Sequence, residues 1–266
     1  MIKDITIGQY IPGNSPLHRA DPRVKIIMTI VYMVLVFLVT SFYGFAMVSL
    51  FTLLVIAISN IPFKFTFKGL KPVIFIVVFT AIINILTIRG TIIFEYKFIH
   101  ISQEGIITAA KMAIRLILLV MGASLLTLTT TPIALTDGIE SLLKPLRKIG
   151  VPSHEIAMMM SIALRFIPTL LDETDKIIKA QAARGADFDT GGIMQKAKSF
   201  IPVLVPLFIS AFRRAEELAT AMEARCYRGS EGRTIMKQLK LGMTDLYIVI
   251  IMALFTAALI YLQWFI

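Results

Sequence analysis

From Ile26 to Phe63 the chain carries no formally charged side chain. A helix crosses a hydrocarbon core about 30 Å thick with ~20 mainly apolar residues, over a working range of ~17–25. This run is therefore too long for one straight crossing and too apolar to face water along its length. Ser41-Phe42-Tyr43-Gly44 near its middle supplies a turn, so a helical hairpin of two spans is expected. Three further uncharged runs follow: Pro72 to Ile88, bounded by Lys71 and Arg89; Leu116 to Thr136; and Leu246 to Ile266, which ends with Gln263 and Trp264 near an interface. Five crossings are expected. The composition agrees, because 57% hydrophobic and 17% charged residues among 266, with a mean hydropathy of +0.80, cannot furnish a water-soluble surface.

The basic residues set the expected orientation. Arg19, Arg23 and Lys25 precede the first span, Lys64, Lys68 and Lys71 join the second to the third, and the turn after the first span has none. Lys and Arg in short loops mark the cytoplasmic side, which places the N-terminus there. An odd number of spans then carries the C-terminus outside and leaves the segment from Pro132 to Met243 cytoplasmic. The net charge of +10 belongs to these membrane flanks. With no aromatic-interleaved or Gly-rich pattern beside it, nucleic acid is not an expected partner. The opening MIKDITIGQYIPGN lacks the early apolar stretch of a removable signal, so the first span is expected to direct insertion into the cell membrane. Lys111 and Arg115 share one helical face near the start of the fourth span. They either snorkel to the headgroups or make a polar contact inside the bundle.

The cytoplasmic segment is expected to be helical and to repeat itself. Pro152-Ser153-His154-Glu155 opens a helix whose spacing runs to Arg184, about 48 Å at ~1.5 Å per residue. Its first half, IAMMMSIALRFIPTLL, is apolar and contains Pro168; its second half, DETDKIIKAQAARG, is charged and Ala-rich. The stretch from Ile193 to Arg228 repeats that plan, with KSFIPVLVPLFISAF followed by RRAEELATAMEARC. At an offset of 41 residues Asp175 aligns with Glu216, Ile177 with Leu218, Ala180 with Ala221, Ala183 with Ala224 and Arg184 with Arg225. A shorter element, Pro132 to Ile149, has apolar residues at helical spacing and is bent or ended at Pro145. Helices apolar over much of their surface must bury it in protein or lipid. The Met158-Met159-Met160 run suits either packing between these helices or a surface that slides against more than one partner. The fold class expected is an all-α membrane protein, with about five transmembrane helices plus three long, partly amphipathic cytoplasmic helices. Its expected domains are a membrane domain over 1–131, a cytoplasmic helical domain over 132–242 and a C-terminal transmembrane helix over 243–266.

Each long helix ends in an arginine between small residues: Ala183-Arg184-Gly185 and Ala224-Arg225-Cys226. Small neighbours leave the guanidinium prominent, and its planar fork of donors suits carboxylates or carbonyls in a narrow groove. A cation at a helix C-terminus is also favoured by the macrodipole alone. Two copies in phase are more specific than one.

With these features the chain resembles the transmembrane coupling proteins, or T-components, of energy-coupling factor (ECF) transporters, which bring vitamins and transition metals into prokaryotic cells. The likeness covers nearly the whole chain. It rests on Leu17-His18-Arg19-Ala20-Asp21-Pro22-Arg23-Val24-Lys25, on Thr129-Thr130-Thr131-Pro132 and on the paired arginine signatures. The resemblance implies that the three cytoplasmic helices are coupling helices. It implies that Arg184 and Arg225, with Ala183, Gly185, Ala224 and Cys226, dock into two ABC-type ATPase subunits (EcfA- and EcfA′-like), one arginine each. It further implies that a membrane-embedded substrate-binding subunit, the S-component, lies against the helices, with Met158, Met159, Met160, Leu164, Ile167, Leu204, Leu207 and Phe208 as its candidate contacts. ATP and Mg would be bound by the partner ATPases, with no cofactor in this chain. Cys226 stands where the family more often has Gly, which leaves open whether the second helix stops there or at Gly229.

Catalytic signatures are missing from the sequence. It contains no G-x-x-x-x-G-K-[ST] phosphate loop, H-E-x-x-H pair or G-x-S-x-G elbow. His18, His100 and His154 are scattered, and the single Cys226 precludes a disulfide within the chain. A non-catalytic transporter subunit is the expectation. Two alternatives remain: an integral-membrane enzyme acting on lipid-linked substrates, which needs a catalytic constellation, and a self-contained secondary carrier, which favours inverted repeats and charged groups within its spans.

Overall fold

A computed structural model of the chain describes residues 10–96, 99–186, 188, 192–229 and 239–265. The protein is an all-α membrane protein. Its elements are α1 (Pro16–Arg19), α2 (Pro22–Leu38), α3 (Phe42–Ser59), α4 (Phe63–Thr87), β1 (Ile92–Tyr96), β2 (Ile99–Ser102), α5 (Gln103–Thr129), α6 (Pro132–Leu143), a 3₁₀ stretch (Lys144–Ile149), α7 (Ser153–Ala183), α8 (Ile193–Ala224) and α9 (Met243–Phe265). Two compact units divide it, one over Leu142–Lys237 and one over Gly8–Ser141 with Gln238–Ile266.

Local chemistry sets most boundaries. Asp21 caps α2 by accepting from the Arg23 amide, with Pro22 in the first turn, and the Ser41 hydroxyl caps α3 through the Gly44 amide. The expected hairpin therefore turns at Val39–Ser41. α3 ends on Asn60 in the left-handed region, φ 54°, a conformation Asn tolerates. The run Thr129-Thr130-Thr131 before Pro132 stops α5, since a residue preceding proline is pushed out of the helical region. Pro145 lies at the start of the 3₁₀ stretch that follows α6, as its position predicts. α4 and α5 begin well before their uncharged runs, so Lys71, Lys111 and Arg115 are inside helices. The antiparallel β1–β2 hairpin was not expected from the sequence.

Among the described residues five helices are long and apolar enough to cross a membrane by length and composition: α3, Gly69–Thr87 of α4, α5, α7 and Met243–Trp264 of α9. The number matches the expectation but one member differs. α2, with 17 residues, is at the short end of the ~17–25 residues a crossing needs, whereas α7, expected beside the membrane, also has the length and apolar content.

In one cluster of the core, Tyr32, Leu35 and Val36 of α2 meet Phe45 and Val48 of α3, Leu118 of α5 and Met252, Phe255 and Leu259 of α9. Ile56, Ile61, Leu70, Met121, Leu125 and Leu128 form a second cluster among α3, α4 and α5. The Tyr32 hydroxyl pairs with Thr52 Oγ1 at 2.7 Å and donates to the Leu118 carbonyl at 3.2 Å, so this polar tip is satisfied inside an apolar bundle. Gly122 makes room for its ring, since a Cβ there would stand 2.3 Å from Tyr32 Cε1. Gly122→Ala is expected to lower stability by about 1–3 kcal/mol, the usual cost of overpacking, seen as a lower thermal midpoint in detergent. Phe67, Ile74, Phe75 and Phe79 of α4 are exposed, as a face turned to lipid requires.

The ends of α2 and α5 cap one another. Lys25 Nζ donates to the last carbonyl of α5, Thr129 O, at 3.0 Å. At the opposite end of the pair, Arg115 Nη2 donates to Val39 O at 2.6 Å, with its guanidinium 5.5 Å from the Phe45 ring centroid. Arg115 thus makes the polar contact inside the bundle, the sharper of the two expectations for it. Each cation faces the negative end of its neighbour's dipole.

Candidate functional site: the paired arginine tips

In the unit over Leu142–Lys237, α7 and α8 run antiparallel in contact. Glu173 sets the crossing: it accepts from Ser210 Oγ at 2.5 Å and from Arg214 Nη2 at 2.9 Å. Towards one end Gln181 Nε2 reaches Pro202 O at 3.5 Å, and towards the other the Tyr227 hydroxyl donates to Met158 Sδ at 3.2 Å. Residue numbers rise along one helix as they fall along the other, which fixes the direction. Glu173 and Arg214 are also equivalents at the 41-residue offset of the internal repeat. Two like helices that meet at equivalent residues are related by a local two-fold, so the arms beyond the crossing match. Arg184 lies 11 residues past Glu173 and Arg225 lies 11 past Arg214. At ~1.5 Å per residue the tips stand roughly 33 Å apart, at opposite ends of the pair.

The two tips are the same structure twice. α7 ends at Ala183 with Arg184 as its cap, φ −89° and ψ 7°; α8 ends at Ala224 with Arg225 as its cap, φ −93° and ψ 14°. The next residue is left-handed in each, Gly185 at φ 88° and Cys226 at φ 55°. Gly185 N bonds Ala182 O and Ala186 N bonds Gln181 O, both at 3.0 Å; Cys226 N bonds Glu223 O at 2.8 Å and Tyr227 N bonds Met222 O at 3.0 Å. These are the 5→2 and 6→1 bonds of a Schellman C-cap. The second helix therefore stops at Cys226, not at Gly229, because Cys226 takes the left-handed position that glycine usually fills. A side chain there costs roughly 1 kcal/mol. Cys226→Gly is expected to slow exchange of the Tyr227 amide about 5-fold and Gly185→Ala to speed that of Ala186 by a similar factor, both read by hydrogen exchange.

Ala183, Arg184, Gly185, Ala224, Arg225 and Cys226 are all exposed. Neither guanidinium has a hydrogen-bond or ion-pair partner among the described residues. Both face outward with their donors unspent. The other predicted residues do not gather into one patch. Met158, Leu164 and Leu207 are half-buried, while Met159, Met160, Ile167, Leu204 and Phe208 are exposed. Because the helices are antiparallel, Met158–Met160 lie at the Arg225 end and Leu204–Phe208 towards the Arg184 end. Glu173, Arg214 and Tyr227 were missed as organising residues. The 41-residue offset linking Glu173 with Arg214 was the available signal.

In the unit over Gly8–Ser141 and Gln238–Ile266, the two segments that carried the family resemblance come together. Lys25, buried, donates to His18 O, Thr129 O and Thr130 Oγ1. The Asp21 amide donates to Asp245 Oδ1 at 2.7 Å, and Arg23 Nη2 to Leu239 O at 2.8 Å. His18 is held between Ser15 Oγ and Ile11 O, a structural post. Among the described residues no group of three or more His, Cys, Asp or Glu is placed to hold a metal ion.

Comparison with known proteins agrees over the whole length. Residues 13–236 match the sequence model of the family described as cobalt transport protein, CbiQ. The chain is 64% identical over 264 residues to the energy-coupling factor transporter transmembrane protein EcfT of Ruminiclostridium cellulolyticum, covering 99% of each. It is 61% identical over 247 residues to EcfT of Clostridium kluyveri, covering 92% of each. With EcfT of Bacillus subtilis it shares 47% over 264 residues, covering 99% of this chain and 100% of the other. The chain belongs to the CbiQ family and is a transmembrane component of the energy-coupling factor transporter type.

Proposed function

We propose that this subunit couples ATP hydrolysis elsewhere to substrate movement. Arg184 and Arg225 seat in grooves on two ABC-type ATPase subunits, one arginine to each, and the α7–α8 pair carries their closing motion to a membrane-embedded substrate-binding subunit. The cargo class is a vitamin or transition metal. ATP and Mg are held by the ATPases, and this chain is non-catalytic. The basic flanks support a cytoplasmic N-terminus and cytoplasmic coupling helices at the cell membrane.

One observation carries the reading: two identically built arginine tips, without a partner among the described residues, at opposite ends of one antiparallel pair. Tips roughly 33 Å apart cannot share one groove, whereas two similar subunits related by a two-fold match two similar arms. The exposed Met159, Met160, Ile167, Leu204 and Phe208 offer the substrate-binding subunit an adaptable apolar surface. Affinity purification of the chain from its native membrane tests this. Recovery of two ABC-type ATPases and a small membrane-embedded binding protein is expected; recovery of the chain without ATPases overturns it.

A further inference from the structure

The chain leaves the unit over Gly8–Ser141 for the α7–α8 unit after Ser141 and returns at Gln238. The start of α2 grips both passages. On the outgoing side, Lys25 holds Thr129 O at 3.0 Å and Thr130 Oγ1 at 3.3 Å. α6 then lies so close to α2 that a Cβ on Gly138 would stand 3.0 Å from Pro22 Cβ and 3.1 Å from Ile26 Cδ1. On the returning side, Arg23 Nη2 holds Leu239 O, the first described residue after the return, at 2.8 Å. The Asp21 amide donates to Asp245 Oδ1 at 2.7 Å, and Asp245 Oδ2 accepts from the Gly242 amide at 2.7 Å, capping α9.

We propose that Asp21–Ile26 is a yoke: a rigid first turn of α2 that ties the outgoing and returning strands of the coupling helices to one point of the membrane unit, so that motion of those helices is delivered to the bundle as a single displacement. Arg23, Lys25 and Gly138 are its positioning residues. Pro22 fixes the backbone of that turn, and α2 is itself locked to α3, α5 and α9 through the Tyr32 cluster. A displacement at the yoke therefore has packed side chains to push against rather than slack loop. The proposal rests on the coupling role given above.

The test uses the whole transporter in proteoliposomes, with Arg23→Ala and Gly138→Val made separately. Arg23→Ala removes one half-exposed guanidinium, and Gly138→Val wedges α6 from α2 without touching a charge. Bound ATPase per chain, ATP hydrolysis and substrate uptake are measured together. Each variant is expected to keep its ATPases and hydrolyse ATP at near wild-type rate, while uptake per ATP hydrolysed falls about 5-fold or more. Arg23→Lys, which retains a donor for Leu239 O, is expected to recover most of the loss. Unchanged uptake per ATP in both variants overturns the yoke, as does loss of uptake only in proportion to lost assembly. Failure of the coupling role itself is distinguishable, since the wild-type chain would then bring down no ATPases.

Discussion

Replacing Arg184 and Arg225 together with alanine is expected to strip the chain of its ATPases. Each guanidinium is exposed and has no partner among the described residues, so alanine removes no bond seen among them, and its small neighbours leave the helix tip free to enter a groove. In a docked complex the same side chain becomes one partner of a desolvated, charge-assisted contact. Truncating such a partner costs about 2–5 kcal/mol, or roughly 30- to 4,000-fold in affinity. The tips are roughly 33 Å apart, well beyond the ~7–10 Å within which neighbouring substitutions interfere, so the two losses should add. Either single variant is expected to weaken one attachment and spare the other, lowering ATPase recovery in part. Only the double variant should abolish it. Quantifying co-purified ATPase against the chain across all four combinations checks this, and full recovery in the double variant would exclude the tips as docking elements.

The sequence made the tips legible for a physical reason. A helix C-terminus has local chemistry: small residues, a cation and a residue able to turn left-handed lie within four positions, so the signature can be read without knowing what surrounds it. The uncharged runs are equally local, and α3, α4, α5 and α9 cover all or most of the runs that marked them. What stayed hidden was direction and company. Two half-apolar helices with in-phase repeats are compatible with parallel rods, and it takes the contacts Glu173–Arg214, Gln181–Pro202 and Met158–Tyr227 to make them antiparallel. That reversal moves the tips from one side to opposite ends and splits the predicted apolar contacts into two groups. Cys226 left the stop open for a related reason: propensity alone would also allow Gly229, but continuing past Cys226 would give up the 5→2 and 6→1 bonds that Glu223 and Met222 accept. Asp245 gave no signal, since its partner is the amide of Asp21, distant in sequence.

The largest stability effect is expected at Lys25. The side chain is 8% exposed and its ammonium makes three hydrogen bonds, to His18 O, Thr129 O and Thr130 Oγ1. Asp21 and Asp245 are close enough to act on its charge, and Asp21 Oδ2 is buried without a hydrogen-bond partner. Methionine matches the stem of lysine in length and apolar character, so Lys25→Met isolates the ammonium. Its removal orphans the last carbonyl of α5 and takes a cation away from two buried carboxylates, of which Asp21 keeps Arg23, with Nε 3.5 Å from Oδ1. Breaking a buried charged set by deleting one member costs about 3–5 kcal/mol, a large fraction of the 5–15 kcal/mol typical of a native domain. The variant should show a much lower thermal midpoint in detergent. Asp245→Asn removes one of those carboxylates but also an acceptor, since Oδ1 and Oδ2 accept from Asp21 N and Gly242 N, so its cost in the wild-type background is the reference and it should cost less, or restore stability, in the Lys25→Met background. An equal cost in both backgrounds would mean that the ammonium acts only through the α5 carbonyls, not through the acids beside it.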